Sequence, residues 1–346
     1  MIFRTPAYYN SFRCIADKCT DNCCIGWEID IDSSTAEYYN SVGGEFGKRL
    51  RENISAENSF ILKGERCPFL NERNLCDIIT ELGENHLCQI CRDHPRYFEW
   101  YGNIKEGGIG LSCEEGARLI LTSDAVSVVQ SETDEPVEEI DEELFSYLSS
   151  ARERIFLIID DKELSLSEKL CAVLDFAENV QSAVDNFGIE LDNSCACTVE
   201  TGEGDAKGIV ELLSDFEPID ESWTRELKLL QKNILAADGA KGIFNSKSEQ
   251  EESYILNLCR YFIWRYFLKG IFDEEILSKV KLSLASLLVI KAMTDGRSDL
   301  NTWIEKSKLY SKEMEYSEEN KELFFDYTYE KSCLSTAEIK GLLSLL

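Results

Sequence analysis

The sequence predicts a mainly α protein in which a small, cysteine-rich and turn-rich module precedes an all-helical domain. Nine of the fourteen cysteines and both histidines lie within residues 14–113. After that stretch, apolar residues recur at spacings of three and four, which is the period of an α-helix. A chain of 346 residues is long enough for about two domains. We therefore predict a module over residues 1–122 and a helical domain over 123–346.

The module contains short motifs that indicate turns rather than long helices. The segment GERCPFLNERNLCDI, residues 64–78, predicts two short extended pieces around a polar turn, with one cysteine on each piece. In CQICRDHP, residues 88–95, two residues separate the thiols, and the proline disfavours a helical conformation of His94. The segment GGIGLSCEEGARLIL, residues 107–121, predicts a glycine-rich turn and then a helix. Cys113 would lie in the first turn of this helix, where the helix dipole favours a thiolate.

The helices predicted for the second region carry recognisable start signals. Several begin with Ser or Asp followed by Glu, which is the pattern of an N-terminal cap. Two polar stretches, near 131–140 and 188–208, interrupt the helical pattern and are predicted to be linkers. The predicted helices cover residues 141–159, 165–184, 221–235, 248–272, 273–293 and 335–346.

The chain is strongly acidic, which disfavours several classes of partner. Its formal net charge is −29, and residues 119–346 hold 46 acidic and 23 basic side chains. Such a surface repels the phosphates of nucleic acids and anionic lipids, so we expect no nucleic acid and no membrane as a partner. It favours a basic segment of another protein instead. Because the sequence shows neither a signal peptide nor an apolar run long enough to span a bilayer, we expect a cytoplasmic protein.

The cysteines of the module follow spacings that are typical of metal sites. The local patterns are C-x4-C-x3-C-C, C-x8-C and C-x2-C-x2-H. Free cysteine is also a common small core residue, while a disulfide scaffold needs an oxidising compartment. We favour metal ligation, and the candidate ligands are Cys14, Cys19, Cys23, Cys24, Cys67, Cys76, Cys88, Cys91, Cys113 and His94.

The identity of the metal stays open at this point. Four thiolates satisfy either one structural zinc ion or one four-iron, four-sulfur cluster. The adjacent residues Cys23 and Cys24 bear on the number of centres, because neighbouring side chains diverge on a helix or a strand. Either they face two different centres, or one of them is a core residue.

Three further residues are candidates for binding a cofactor. The aromatic side chains of Trp27 and Tyr97 lie close to cysteines in the sequence and could line a cavity for a flat or cationic group, although such residues are more often core. Arg96 could bind a carboxylate of cofactor or substrate, or form an internal ion pair. No catalytic residue is predicted. In the second region we expect the remaining cysteines to be core residues, except for the C-x-C pair Cys195 and Cys197, whose role stays open.

The first third of the chain resembles the cysteine-rich, zinc- or iron-chelating domain of the flagellin lysine-N-methylase family. The residues that carry the resemblance are C-x4-C-x3-CC-x2-W (14–27), CPFL with LC (67–76), LCQICRDHPRY (87–97) and LSCEE (111–115). In the second region, YFIWRYFLKGIFDEEILSKVKLSLASLLVIK (261–291) is also similar to the helical part of that family.

The resemblance implies an enzyme that transfers a methyl group from S-adenosylmethionine to lysine side chains of flagellin, with an iron–sulfur or zinc centre. No strand-linked glycine-rich loop of the dinucleotide-binding type is present, so an ordinary wound-sheet methyltransferase fold is not indicated. Two alternatives remain. One is a zinc-stabilised protein-binding module without catalytic activity, and the other is an iron–sulfur electron carrier.

Overall fold

The computed structural model has a mainly α fold with one small sheet, which confirms the predicted fold class in its coarse form. The structure describes residues 1–26, 28–123, 128–137, 139–186, 200–219, 221–236, 241–244 and 248–346. The strands are β1 (Ile2–Pro6), β2 (Arg96–Tyr101), β3 (Ile104–Ile109) and β4 (Val128–Glu132). The α-helices are α1 (Ser33–Ser41), α2 (Gly44–Glu52), α3 (Asp77–Leu82), α4 (Gln89–Asp93), α5 (Glu114–Thr122), α6 (Glu142–Asp160), α7 (Leu166–Asp185), α8 (Ala206–Leu213), α9 (Glu221–Ala236), α10 (Lys241–Phe244), α11 (Glu249–Tyr266), α12 (Gly270–Asp273), α13 (Ile276–Met293), α14 (Leu300–Glu315), α15 (Glu318–Glu330) and α16 (Thr336–Leu343).

The sheet joins segments that are far apart in the chain. Its strand order is β2-β3-β1-β4, with β1 parallel to β3 and antiparallel to β4. Strands β2 and β3 form a hairpin, and Gly102 in its two-residue loop has a φ of 57°, a conformation that suits glycine. Strand β4 follows residue 122, so the described part of the second region contains a strand besides its helices. The prediction of an all-helical second region was wrong at that point.

The long helices of the second region begin where their capping residues predict. Asp141, Ser165, Ser248 and Ser335 each accept a hydrogen bond from a backbone N–H of the first turn, and Ser165 forms a full capping box with Glu168. The predicted helix over 248–272 is shorter in the structure. Its α-helical part ends at Tyr266, and a 3₁₀ turn and the short helix α12 follow. The helices that were not predicted are α1, α2, α3, α4, α8, α10, α14 and α15.

The described residues form two hydrophobic cores. The large core consists mainly of residues from α5–α16 and also includes residues of the first region such as Tyr8, Phe12 and Tyr101. Helix α13 is its centre, since almost every side chain of that helix is buried. The small core is built from residues between 29 and 91 and includes Cys67 and Cys88. Residues that precede position 122 therefore contribute to both cores, and the domain boundary near 122 stays a prediction.

A buried ion pair connects strand β3 of the sheet to helix α6. Arg152 of α6 donates to both carboxylate oxygens of Glu106 on β3, at 2.7 and 2.5 Å, and its guanidinium lies 4.3 Å from the ring centroid of Trp264. The side chains of the pair are only 6% and 4% exposed. Within the described residues, no helix has the length and apolar character that crossing a membrane would require.

Candidate functional site

A short antiparallel pairing brings the first cysteine segment against the second. Ile25 forms a β-bridge with Arg66, and the N–H of Cys67 donates to the carbonyl of Cys24 at 2.9 Å. The N–H of Gly26 donates to the backbone carbonyl of Glu65 at 2.9 Å. Cys24 and Cys67 are therefore neighbours in space although 43 positions separate them in the sequence.

The next cysteine is placed by the turn that the sequence predicts over residues 64–78. Leu70 pairs with Cys76 in an antiparallel bridge. The chain reverses between Asn71 and Leu75, where the N–H of Asn71 donates a hydrogen bond to the carbonyl of Leu75 at 2.9 Å. Asn74 in this turn adopts a φ of 57°. Cys76 then precedes the first residue of α3, so the two cysteines of this hairpin lie on its two arms.

The CQIC motif forms the start of α4, with Cys88 as the capping residue and Cys91 in the helix. Asp32 fixes this helix start from outside, because its carboxylate accepts from the N–H of Gln89 at 2.9 Å and also caps α1. His94 ends α4 with a φ of −54° and a ψ of 133°, which is not helical, as the following proline predicts.

Five of these thiols influence one another electrostatically, and we call them the first thiol group: Cys24, Cys67, Cys76, Cys88 and Cys91. A hydrogen bond from Cys91 lowers the pKa of Cys88, while the same bond, burial and the charges of Cys88 and Cys24 raise the pKa of Cys91. Burial and the nearby Cys76 raise the pKa of Cys67 to about 11. Cys67 and Cys88 belong to the small hydrophobic core, and Cys24, Cys76 and Cys91 pack against it, so the five side chains share one cluster.

Cys23 faces a different set of neighbours from Cys24. The second thiol group consists of Cys19, Cys23 and Cys113, together with His94. Hydrogen bonds from Cys24 and from His94 lower the pKa of Cys23 to about 4. The charges of Cys23 and Cys19 both raise the pKa of Cys113. Because Cys23 and Cys24 are also hydrogen-bonded to each other, the two groups meet at this pair, and the number of centres stays a prediction.

The expectation of a stabilised Cys113 thiolate was wrong. Cys113 is the N-terminal capping residue of α5 but makes no side-chain capping hydrogen bond, although the nearby N–H groups of Gly116 and Glu115 act to lower its pKa. Burial outweighs these two donors, however, and raises the pKa of Cys113 to about 12. In the metal-free protein this thiol is therefore protonated at neutral pH.

The second thiol group lies against helix α14 of the large core. Cys19 approaches the carboxylate of Glu114 at 3.7 Å, and the same carboxylate lies 3.5 Å from the ammonium of Lys308. Asp21 pairs with Lys312 and with Lys308, at 3.4 Å from the latter. These ion pairs join the loop around residue 20 to α14 across almost 300 positions of sequence.

In their chemistry, the two groups fit a metal that prefers thiolates. Every cysteine in the described ranges is a free thiol, and soft sulfur donors suit zinc and iron–sulfur clusters. In their present arrangement, no three or more His, Cys, Asp or Glu side chains among the described residues could hold one metal ion. The thiols of Cys23 and Cys24 are hydrogen-bonded to each other, as are those of Cys88 and Cys91, so a metal would have to displace the protons of these thiols.

The other predicted site residues have different surroundings. Cys14 is exposed and accepts a hydrogen bond from the N–H of Ala16 at 3.4 Å. The guanidinium of Arg96 lies over the rings of Tyr9 and Phe12, at 5.5 and 5.1 Å from their centroids. Trp27 lies outside the described residues.

Tyr97 belongs to a buried polar centre that the sequence does not reveal. The carboxylate of Glu315 accepts from the hydroxyls of Tyr261 and Tyr266, at 2.9 and 3.0 Å, and pairs with Arg265 at 3.1 Å. The guanidinium of Arg265 lies 4.3 Å from the centroid of the Tyr97 ring. In the sequence, the aromatic residues around 261–266 are the one hint of this buried centre. The carboxylate of the centre belongs to a different helix, α14, so the sequence does not connect it with them.

The cysteines of the second region have the expected packing where the structure describes them. Cys259 and Cys333 are buried in the large core, and Cys171 packs against that core with part of its surface exposed. Cys195 and Cys197 lie outside the described residues.

The fold and the thiols together define a mainly α protein with a converging set of free cysteines near one end of its sequence. The chain is 30% identical over 138 residues to the flagellar biosynthetic protein FliU of Salmonella muenchen, a match that covers 36% of this chain and 79% of that protein. The chain therefore belongs to the family of this flagellar biosynthetic protein.

Two further relatives are proteins named lysine-N-methylase, from Salmonella typhimurium and Salmonella choleraesuis. Each is 28% identical to the chain over 134 residues, which is 36% of this chain and 33% of the relative. The match thus spans about a third of the length of these two proteins. No family profile matches the chain, and no solved structure matches it either.

Proposed function

We propose that this chain is a protein lysine N-methyltransferase that transfers a methyl group from S-adenosylmethionine to lysine side chains of flagellin. The observation that carries the activity is the match to two proteins named lysine-N-methylase. The flagellar name of the relative from Salmonella muenchen supports flagellin as the substrate.

The charge of the chain supports a lysine-bearing protein substrate. The net charge of −29 produces a negative potential that attracts ammonium groups and speeds their encounter with the surface. For transfer, the lysine nitrogen has to be neutral and desolvated, so that its lone pair is available to the methyl carbon. The proton that it loses has to reach a base or water.

The thiols are the residues that would hold a metal or an iron–sulfur cluster. Cys24, Cys67, Cys76, Cys88 and Cys91 offer one set of sulfur donors, and Cys19, Cys23, Cys113 and His94 offer a second set. A thiolate-bound centre would fix the chain segments that carry these donors and would withdraw their negative charge from solvent. The proposed role is therefore at least structural, because it stabilises a region whose own core is small.

Tyr97 is the residue that we propose as a contact to the methyl donor. Its hydroxyl is buried and has no hydrogen-bond partner among the described residues, and the same holds for Tyr8. Burial raises the pKa of both phenols, so both remain hydrogen-bond donors at neutral pH. Two unused donors beside the guanidinium of Arg265 suit an acceptor such as the carboxylate of a cofactor. Arg96 stays a proposed contact, and so does Trp27.

The test is a methyl-transfer assay on protein that is purified without oxygen. The chain is incubated with isotopically labelled S-adenosylmethionine and flagellin, and the label is located by mass spectrometry of flagellin peptides. We expect the label on lysine side chains. Metal-loaded protein that binds flagellin but transfers no label would contradict the proposal and favour a binding module.

A pair of matched variants separates the thiol centre from general stability. Cys88→Ser removes a fully buried thiol of the first group, whereas Cys171→Ser alters a thiol outside both groups. We expect Cys88→Ser to lose most of its bound metal and Cys171→Ser to keep it, as measured by elemental analysis. Equal metal content in the two variants would exclude Cys88 as a ligand.

A further inference from the structure

One lysine of the chain lies in an aromatic cage on the outer face of the sheet. The ammonium of Lys105 lies 4.6 Å from the ring centroid of Phe98, 4.8 Å from that of Trp100 and 5.6 Å from that of Phe3. It also donates to a carboxylate oxygen of Glu135 at 2.6 Å. Three rings and one carboxylate around an ammonium are the groups with which proteins recognise a lysine or a methylated lysine.

The sheet register builds this cage. Lys105 of β3 lies directly opposite Phe3 on β1 and Trp100 on β2. Phe98 lies opposite Gly107, two positions further along β3 on the same face. A Cβ atom at Gly107 would lie 2.9 Å from the ring of Phe3 and 3.3 Å from that of Phe98, so glycine is needed for the rings to close over the strand.

Glu135 closes the cage from a segment without regular secondary structure. The indole N–H of Trp100 donates to its second oxygen at 2.9 Å, and Thr133 donates to the first at 3.2 Å. The hydrogen bonds from Lys105 and then from Trp100 lower the pKa of Glu135, so the carboxylate is charged at neutral pH. A charged carboxylate and an indole that is hydrogen-bonded to it thus stand beside the ammonium.

The surroundings of Lys105 differ from those of a structural cation in this chain. Its neighbour Glu106 points to the other face of the sheet, where it forms the buried pair with Arg152. The side chains of Lys105 and Glu135 are 14% and 33% exposed to solvent, and the three rings are half-buried. Because the cage opens to solvent, another ammonium can reach it if Lys105 leaves.

We propose that Phe3, Phe98, Trp100 and Glu135 form a binding site for a lysine side chain of a partner protein, and that Lys105 occupies this site as an internal stand-in. The choice of a protein lysine as the ligand rests on the proposed function, while the cage itself rests on the geometry above. The acidic character of the chain favours the same ligand. Methyl-transfer substrates would then compete with Lys105 for the cage.

The test is a binding experiment that uses no methyl donor. The probe is Nα-acetyl-lysine methylamide, and its dissociation constant is measured by ligand-observed NMR with the full chain. Lys105→Met empties the cage of its ammonium and keeps most of the aliphatic side chain, so we expect this variant to bind the probe at least about tenfold more tightly than the unchanged protein. The combined variant Lys105→Met with Trp100→Leu should lose this gain.

Two controls keep the result interpretable. Lys269 pairs with Glu99 on the other face of the same hairpin, and its only described ring contact is Tyr266 at 6.0 Å. Lys269→Met should therefore leave the affinity for the probe unchanged. Nα-acetyl-norleucine methylamide lacks the ammonium and should gain nothing from Lys105→Met.

The inference is overturned if Lys105→Met binds the lysine probe no more tightly, or if the norleucine probe gains as much. Circular dichroism confirms that each variant is folded before it is scored. Should Lys105→Met still methylate flagellin without gaining affinity for the probe, the cage fails while the proposed enzyme stands. Should the affinity rise in a protein that transfers no methyl group, the proposed enzyme fails while the cage stands.

Discussion

The two hydrophobic cores of this protein differ in how much apolar surface each can bury. The small core has twelve buried residues, two of which are cysteines, and the thiols of the first group adjoin it. The large core surrounds α13, whose seventeen buried side chains contact helices on all sides. A core of the smaller size rarely stabilises a region alone, whereas burial in the larger one suffices. The comparison indicates that the cysteine-rich region needs a further source of stability and that the helices do not.

Metal removal tests this difference most severely. We expect a chelator, added under reducing conditions, to abolish the protection of amides in residues 29–91 against hydrogen exchange. Structural zinc contributes on the order of 10 kcal/mol in small metal-dependent domains, which is more than a core of this size supplies. Amides of Ile276–Met293 should keep their protection in the same sample, and mass spectrometry of exchanged peptides reports both regions.

Unchanged protection of residues 29–91 after complete metal removal would show that the small core is sufficient. Protein with Cys171→Ser serves as the control, since that thiol lies outside both groups and its exchange pattern should respond to the chelator as the unchanged protein does.

Breaking the buried ion pair of the sheet is expected to have the next largest effect. Arg152→Met leaves Glu106 buried without its partner, which costs about 3–5 kcal/mol of unfolding free energy. Urea denaturation followed by circular dichroism measures the change. The double variant Arg152→Met with Glu106→Leu should recover most of the loss, because no unpaired charge remains. A double variant as unstable as the single one would assign the loss to packing on Trp264 instead.

The equivalent change next to the small core should cost much less. Arg49 pairs with Asp77 at 2.7 Å, but its side chain is 39% exposed. Water solvates both groups after Arg49→Met, so we expect a loss of about 1 kcal/mol or less in the same denaturation experiment. A loss comparable to that of Arg152→Met would mean that the ion pair, and not the thiols, holds this region together.

The smallest expected effect is a factor of two in a rate of alkylation. Cys23 has a pKa lowered to about 4, so in metal-free protein its iodoacetamide labelling rate should stay nearly constant from pH 8 to pH 5 and halve near pH 4. The labelling rate falls on the acid side because the reactive thiolate of Cys23 is stabilised in the folded state. It is protonated only as the pH falls through its pKa of about 4. Mass spectrometry of labelled peptides gives the rate.

Cys113 provides the internal comparison for that experiment, because burial raises its pKa to about 12. Its labelling should be slow at neutral pH and should rise about tenfold for each pH unit. Parallel pH profiles for the two cysteines would contradict the assignment of Cys23 to a thiolate-stabilising position.

Much of the helical region follows from its sequence, and the small sheet does not. The caps at Ser165 and Ser248 mark helix starts because a side chain satisfies free N–H groups within three residues. Strands β1 and β3 are about 100 positions apart, and no local pattern announces their pairing. The cage around Lys105 depends on that pairing, so its members looked like unrelated aromatic residues in the sequence.

The sequence alone determined that the thiols are concentrated in residues 14–113, that helices dominate the rest and that the chain is strongly acidic. Composition and short-range spacing carry these facts, since each depends on residues within a few positions of one another. Only the tertiary structure decided that Cys23 neighbours His94, that Cys24 neighbours Cys67 and that Arg265 meets Glu315. Such contacts depend on backbone direction and packing across distant segments, and the free energy that selects them is not encoded in any local pattern.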